Sequence, residues 1–164
     1  AVPNHQVGRS TPADTRVLTA LPFSFGFELD PRNESDEEKN AYARGAELYK
    51  EFRVRFRIAE FRRLLGPLSG GDSRRRLGGG GGGETAWMLD ADGGGELFVF
   101  YYRPLARANQ LPGMLRLAGL TPGVIYEDRE RGHRYDATQL IYRGLRIEPG
   151  FGDYQARFWH LRRC

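Results

Sequence analysis

Three polar side chains that can hydrogen-bond or exchange a proton stand together near the start of the chain. Asn4, His5 and Gln6 are consecutive, and they precede a predicted short helix in which Pro12 and Asp14 suit the first turn. Imidazole titrates near neutral pH, and amides both donate and accept hydrogen bonds. This pattern indicates a loop that borders a binding site, or a loop that these side chains fix by bonds to its own backbone.

The other candidate residues do not form a catalytic set. His133 lies in a predicted turn, and His160 alternates with aromatic residues on one side of the last predicted strand, which favours a buried histidine with a hydrogen-bonding partner. The only cysteine, Cys164, is the last residue, so the sequence predicts no disulfide framework, no metal site and no cofactor. Three aspartates border predicted turns, where aspartate is common for local reasons: Asp90, Asp92 and Asp153.

A basic tract raises the alternative of nucleic-acid binding. Residues 53–76 contain eight arginines against Glu60 and Asp72, which gives this stretch a net charge of +6 and the rest of the chain −2. Arginine outnumbers lysine along the whole chain, however, since only Lys39 and Lys50 are lysines among 25 basic residues. We therefore expect a solvated surface and no nucleic-acid partner; a nucleic-acid-binding module would lose affinity steeply with salt.

The first third of the chain is predicted to be helical. Ser35 and Glu38 have the spacing of a capping box, so we expect a helix over 35–56 and mainly helical structure over 11–56. Apolar residues at steps of four and three then define one face of this helix, which we call the stripe: Tyr42, Ala46, Tyr49, Phe52 and Phe56.

The rest of the chain is predicted to consist of short strands. Seven apolar runs between 59 and 164 are separated by turn residues, and 97–102 is apolar on both faces, as in a central strand. This predicts an antiparallel β-sandwich of about a hundred residues. The arginine- and glycine-rich stretch at 70–83 is expected to be a disordered loop. The pattern disfavours a phosphate-binding loop, since a strand rather than a helix is predicted after it.

Aromatic residues in the predicted strands allow a second alternative, a free-standing carbohydrate-binding module. Such a module needs an exposed row of aromatic rings, and the candidates are Trp87, Trp159 and Tyr102. Both tryptophans lie within predicted strands rather than in loops, so a core or interface position is favoured. No apolar run approaches the roughly 20 residues that span a bilayer, and no membrane partner is expected.

The order of the motifs resembles the C-terminal end of the family 36 glycoside hydrolases, the bacterial-type α-galactosidases. The match rests on the collinear order of PNHQVGR, TPADTR, FSFGFELD, ELYKEFR, FRRLLGP, ETAWM, LFVFYYR, LAGLTPGVIYED and GDYQARFWHLR. Each motif is short, and only their order makes the match specific. The sequence departs from the family pattern at 70–83 and in DATQLIYRG.

The resemblance implies a fold and a domain division. Residues 1–58 would be the terminal loop and helices of an incomplete (β/α)8 catalytic barrel, and 59–164 would be the C-terminal antiparallel β-sandwich domain. Asn4, His5 and Gln6 would then lie at the rim of the active site, because loops after the strands of a barrel build that face. Helices that normally cover barrel strands should also leave FSFGFELD and the stripe uncovered in this chain.

The resemblance also implies chemistry that this chain does not carry. Family members hydrolyse terminal α-galactosides such as melibiose and raffinose with two aspartates, in a retaining double displacement. The nucleophile belongs to a Lys-x-Asp pattern, which neither Lys39 nor Lys50 begins, and the only Ser-Asp pair, at Ser35 and Asp36, opens a helix. We expect both aspartates upstream of residue 1, an inactive fragment, and a parent that is an α-galactosidase or a related raffinose-type synthase.

The implied partners belong to the parent enzyme. They are α-galactoside oligosaccharides, the missing N-terminal domain and barrel of the same chain, and further copies in a homo-oligomer. We expect a cytoplasmic location in a bacterium.

Overall fold

The computed structural model describes residues 8–66 and 83–164. Asn4, His5 and Gln6 lie outside the described residues, as does 70–82, nearly all of the stretch expected to be disordered. The chain divides into two compact units, residues 1–58 and residues 59–164, which we call unit 1 and unit 2.

Unit 1 consists of two α-helices joined by an extended segment and a short 3-10 helix. The helices are α1 (Ala13–Ala20) and α2 (Asp36–Ile58), and the 3-10 helix is Pro31–Asn33. The predicted capping box is present, since the Glu38 N–H donates to Ser35 Oγ over 3.2 Å and the Ser35 N–H donates to Glu38 Oε2 over 3.0 Å. The mainly helical character predicted for 11–56 is confirmed, apart from the extended segment at 23–30.

The two helices meet at a glycine. A β-carbon added at Gly45 of α2 would lie 2.4 Å from Cγ1 of Val17 in α1. Such a distance is far below van der Waals contact, so only glycine lets the helices approach this closely. Ala13, Ala41 and Tyr42 complete the small core around this contact.

The stripe on α2 is more covered than predicted. Tyr42, Phe52 and Phe56 are buried, and Ala46 and Tyr49 are half-buried. Part of the reason lies in the extended segment, whose phenylalanines lie on the helix: the Phe25 ring stacks on Tyr49 with centroids 5.2 Å apart, and the Phe27 ring meets Tyr42 at 5.5 Å. The expectation of an uncovered stripe was therefore wrong.

The expectation for FSFGFELD is confirmed by its two most exposed phenylalanines. Phe23 and Phe27 expose 55% and 47% of their surface. On α2 itself the exposed large apolar side chains are Val54 and Ile58 rather than members of the stripe.

Unit 2 is an antiparallel β domain with one short helix among its described residues. Its elements are β1 (Glu60–Leu65), β2 (Thr85–Asp90), β3 (Glu96–Arg103), β4 (Gly113–Leu115), β5 (Ile125–Asp128), β6 (Arg134–Asp136), α3 (Ala137–Tyr142), β7 (Leu145–Ile147) and β8 (Gln155–Arg163). The main sheet has six strands in the order β1-β2-β3-β8-β5-β6, and a second sheet pairs β4 with β7.

The second layer of unit 2 is smaller than in the sandwich predicted from the sequence. One face of the main sheet packs Leu97, Val99 and Trp159 into a core with Leu140 of α3 and Leu145 of β7. This layer is a two-stranded ribbon and one helix of six residues, among the described elements, rather than a second broad sheet. The prediction missed α3, which Asp136 caps by accepting a hydrogen bond from the Thr138 N–H.

The other face of the main sheet carries buried aromatic rings. Phe98 stacks on His160 with centroids 4.8 Å apart, and Phe100 meets Phe158 at 5.1 Å and Trp87 at 6.0 Å. Strand β3 is therefore buried on both faces from residue 97 to residue 101, which confirms a central strand.

Candidate functional site

Unit 1 contains a cavity of about 370 Å³ beside the extended segment. Arg16 and Val17 of α1 form one wall, residues 25–30 form another, and Glu34 and Tyr42 close it. Phe27 and Glu28, two exposed residues of the motif FSFGFELD, therefore border this cavity.

Charged groups on the helical wall pair with one another, one arginine with two glutamates. Arg16 Nη2 lies 3.2 Å from Glu38 Oε1 and 3.8 Å from Glu34 Oε2, and its guanidinium stands over the Tyr42 ring at 5.2 Å. The Tyr42 hydroxyl donates to Glu34 Oε2 over 3.0 Å. Burial, with this hydrogen bond, raises the pKa of Tyr42 to about 12, so the phenol stays protonated at neutral pH.

On the opposite wall, the carboxylate of Asp30 is also hydrogen-bonded. The Arg32 guanidinium donates to both oxygens of Asp30 over 2.7–3.1 Å, and the Arg32 N–H donates to Asp30 Oδ1 over 3.0 Å. These bonds lower the pKa of Asp30 and fix it as the cap of the 3-10 helix. Asp30 and Glu34 therefore have structural roles, and neither is poised as a general acid or base.

The rim residues predicted from the sequence cannot be placed in this cavity. Asn4, His5 and Gln6 lie outside the described residues, so their role stays a prediction.

His160 is a core histidine, as predicted. Only 7% of its surface is exposed, and its Nε2 lies 2.8 Å from Glu96 Oε1 on the neighbouring strand. His133 is exposed in the turn before β6, and its carbonyl oxygen accepts a hydrogen bond from the Asp128 N–H. The two histidines lie on different elements and do not form a catalytic pair with each other.

The aromatic side chains proposed as sugar platforms are largely covered. Trp87 and Trp159 expose 8% and 5% of their surface, and Tyr102 is half-buried. Two of the three residues needed for an exposed aromatic row are therefore in the interior, and this disfavours a free-standing carbohydrate-binding module.

Two of the turn aspartates accept backbone hydrogen bonds. Asp90 is buried and accepts from the Gly94 N–H over 2.6 Å, a bond within its own turn, as the sequence predicted. Asp153 instead accepts from the Ala106 N–H over 2.7 Å, so it joins two loops that are distant in the sequence.

Two buried charges of unit 2 were not singled out from the sequence. Arg103, 3% exposed, donates from Nη1 to Gln110 Oε1 over 2.8 Å and from Nη2 to the carbonyl oxygens of Gly150 and Gly152 over 2.9 and 3.3 Å. Its position at the end of the apolar run LFVFYYR was the available signal, because a charge that closes a central strand needs partners.

The second buried charge is Asp128 at the end of β5. It is fully buried, accepts from the Glu130 N–H over 3.0 Å and receives Arg131 Nη1 at 2.9 Å. The Arg131 guanidinium also stands 5.8 Å from the Trp159 ring centroid, so this pair fastens the β5–β6 turn to β8.

Within residues 8–66 and 83–164 no group of three or more histidine, cysteine, aspartate or glutamate side chains could hold a metal ion. Nor does any helix described here have the length and apolar character to cross a bilayer.

Two family models match the chain, one over each unit. Residues 1–59 match the melibiase model, and residues 84–161 match the model of the glycosyl hydrolase family 36 C-terminal domain.

Curated relatives match nearly the whole chain. It is 32% identical over 156 residues to the bifunctional α-galactosidase/sucrose kinase AgaSK of Mediterraneibacter gnavus, covering 95% of this chain and 15% of that protein. It is 34% identical over 162 residues to the α-galactosidase AgaA of Geobacillus stearothermophilus, covering 99% of this chain and 20% of that protein. The chain thus spans about a fifth or less of the length of these relatives.

Solved structures agree in fold. The galactosidase domain of AgaSK superposes with a TM-score of 0.87 at 30% identity, covering 100% of this chain and 21% of that chain. A variant of AgaA from Geobacillus stearothermophilus in complex with raffinose superposes with a TM-score of 0.86 at 34% identity and the same coverage.

Proposed function

Since this chain belongs to glycoside hydrolase family 36 and matches its C-terminal portion, we propose that it is part of an α-galactosidase. The complete enzyme would hydrolyse terminal α-galactosides such as melibiose and raffinose. The observation that carries this proposal is the match over both units, at 32–34% identity to two α-galactosidases.

Within this proposal the two units have different tasks. Unit 1 would supply helices from the end of the catalytic (β/α)8 barrel, with Asn4, His5 and Gln6 at the rim of the active site. Unit 2 would be the C-terminal β domain of the enzyme, and the hydrogen bonds of Arg103, Asp128 and His160 fit a domain built for stability.

The reaction itself would be performed by residues upstream of this chain. A retaining glycosidase needs a carboxylate nucleophile and a second carboxylic acid about 5 to 5.5 Å away. In unit 1 two of the three carboxylates that line the cavity are hydrogen-bonded or ion-paired, Asp30 with Arg32 and Glu34 with Tyr42 and Arg16, and the third, Glu28, is exposed. These bonds fit a role in holding the barrel's final elements rather than in bond cleavage.

The remaining parts of the proposal follow from the same family. The partners would be α-galactoside oligosaccharides, the N-terminal domain and barrel of the same polypeptide, and further copies in a homo-oligomer. No cofactor, nucleic acid or membrane takes part, and the enzyme would work in the bacterial cytoplasm.

An assay with raffinose as the substrate distinguishes hydrolysis from galactosyl transfer. We expect the chain extended upstream of Ala1 through its own gene to release free galactose and sucrose from raffinose. If the galactosyl group passes mainly to another sugar, the enzyme is a raffinose-type synthase instead. If raffinose is left intact while both upstream aspartates are present, the α-galactosidase proposal fails.

A further inference from the structure

We propose that the exposed face of helix α2 binds the same face of a second copy of this chain, with the two helices antiparallel. The inference rests on the homo-oligomer of the proposed function, and it identifies a surface and a register at which two copies meet.

Exposed residues on α2 follow a seven-residue repeat. We call this face the seam, and its members recur at alternating steps of four and three: Asp36, Asn40, Ala43, Glu47, Lys50, Val54 and Arg57. All of them are exposed, whereas Tyr42, Phe52 and Phe56 of the stripe are buried on another side of the helix. Steps of four and three align side chains along one face, as in helices that pair along their length.

The seam exposes branched apolar side chains near the end of the helix. Val54 exposes 64% of its surface, and Ile58, one turn further and beside the seam, exposes 72%. Two such side chains on adjacent turns present a continuous apolar surface to water, and a protein partner that covers both is favoured by the hydrophobic effect.

The charges of α2 are divided along its length. Its first turn is acidic and its last turn is basic. Within the seam, Glu47 comes before Lys50 and Arg57. None of these three forms an ion pair with a residue of the ranges that the structure describes, and Glu47 and Lys50 do not pair with each other. The seam therefore carries opposite charges that are available to a partner.

One antiparallel register matches these charges. If Glu47 faces Lys50 of the second copy, the two-fold symmetry of the pair sets Lys50 against Glu47 of that copy, which gives two ion pairs. The same register sets Val54 against Ala43, which is small enough to leave room for a branched side chain, and Arg57 against the amide oxygen of Asn40. A parallel pair would instead set like charges against each other at every charged position of the seam.

The symmetry of this pattern identifies the occupant as a second copy. A single helix carries both the acidic and the basic half of the pairing, so an identical helix supplies the whole complementary surface. The antiparallel arrangement also brings the positive end of each helix dipole near the negative end of the other.

Exchange of two charges tests the pairing. We expect Lys50→Glu to halve the mass of the assembly that the chain extended upstream forms, measured by light scattering at one fixed concentration, because it sets glutamate against Glu47 twice. The double variant Glu47→Lys/Lys50→Glu restores both ion pairs with their charges exchanged, so we expect the original mass.

Arg116→Glu is the matched control for this experiment. It makes the same change of charge at an exposed position of unit 2, and we expect it to leave the mass unchanged. The inference is overturned if the parent chain is a monomer, if Lys50→Glu keeps the original mass, or if the double variant stays at half of it.

Cysteine cross-linking tests the register. In a Cys164→Ser background, which removes the only natural cysteine, the double variant Ala43→Cys/Val54→Cys should form a covalent dimer on oxidation with copper phenanthroline. Ala43→Cys alone should not, because the antiparallel register separates the two copies of residue 43 by roughly 16 Å along the helices. Cross-linking of Ala43→Cys alone, or none in the double variant, would contradict this register.

The surface and the proposed function can fail separately. An extended chain that releases galactose from raffinose but keeps its mass in Lys50→Glu refutes only the surface. A chain whose mass is halved by Lys50→Glu and restored by the exchange, but which leaves raffinose intact, refutes only the function.

Discussion

At the scale of single residues, one guanidinium fixes the loops at an end of unit 2. Arg103 Nη2 donates to the carbonyl oxygens of Gly150 and Gly152, on either side of Phe151, whose side chain is fully exposed. The buried arginine thus holds the loop before β8 through its backbone.

Replacing this arginine should destabilise unit 2. Arg103→Met keeps an unbranched side chain but leaves the carbonyl groups of Gly150 and Gly152 and the Gln110 side chain without their buried donor, so we expect a loss of about 1 to 3 kcal/mol in the free energy of unfolding. Urea unfolding followed by tryptophan fluorescence measures it, because Trp87 and Trp159 both lie in unit 2. Arg116→Met, at an exposed position of the same unit, is the matched control. Equal losses in the two variants would refute the role of Arg103.

Tyr42 should make unit 1 sensitive to alkali. Its pKa is raised to about 12 in the folded chain by burial and by the bond to Glu34, whereas an unfolded tyrosine titrates near 10. Between these values the unfolded state releases a proton that the native state retains, so this contribution to stability is complete below about pH 10 and is lost as the pH rises towards 12.

The Tyr42→Phe variant tests this pH dependence. We follow urea unfolding by helical circular dichroism. Between pH 8 and alkaline pH, we expect the urea midpoint of Tyr42→Phe to fall less than the urea midpoint of the parent chain. Tyr142→Phe, at a position that is 70% exposed, should behave like the parent. An unchanged alkaline loss in Tyr42→Phe would show that Tyr42 is not responsible.

At the scale of elements, the sequence was informative where a local pattern decides the structure. The Ser35–Glu38 capping box starts α2, and apolar runs bounded by turn residues identified β2, β3 and β8. It failed for α3, whose six residues are too few for a helical period to be visible and whose start depends on the Asp136 cap. The coverage of the α2 stripe was also missed, because it depends on the extended segment folding back onto the helix.

The buried charges of the candidate sites could not be found in this way. The position of Arg103 at the end of an apolar run indicates only that it needs partners. Whether Arg103 or Asp128 is buried depends on which distant loops and strands meet. Asn4, His5 and Gln6 were proposed from their types and from the family resemblance, and their place in a site stays a prediction.

The contact between α1 and α2 gives a prediction at this scale. Gly45→Ala places a methyl group 2.4 Å from Val17 Cγ1, so despite the higher helix propensity of alanine we expect unit 1 to lose about 1 to 3 kcal/mol of stability. Thermal unfolding monitored by circular dichroism measures this, with Gly26→Ala as the control because its added methyl meets open space. Adding Val17→Ala should recover part of the loss, and a Gly45→Ala variant as stable as the parent would contradict the close contact.

At the scale of the whole molecule, the chain belongs to family 36 and matches its C-terminal portion. Its described residues form a helical unit with an extended segment and a β domain held by buried charges. The carboxylates of a double displacement would come from upstream, and without them neither the covalent intermediate nor the protonated leaving group can form.

Turnover of nitrophenyl α-galactoside by two lengths of the same polypeptide tests this account most directly. The chain extended upstream through the barrel should release nitrophenol, and purified 1–164 should not, since loss of positioned acid catalysis alone removes roughly 10²- to 10⁴-fold in rate and the nucleophile is lost with it. Release of nitrophenol by 1–164 at a rate near that of the extended chain would contradict the account, because the catalytic groups would then lie within these residues.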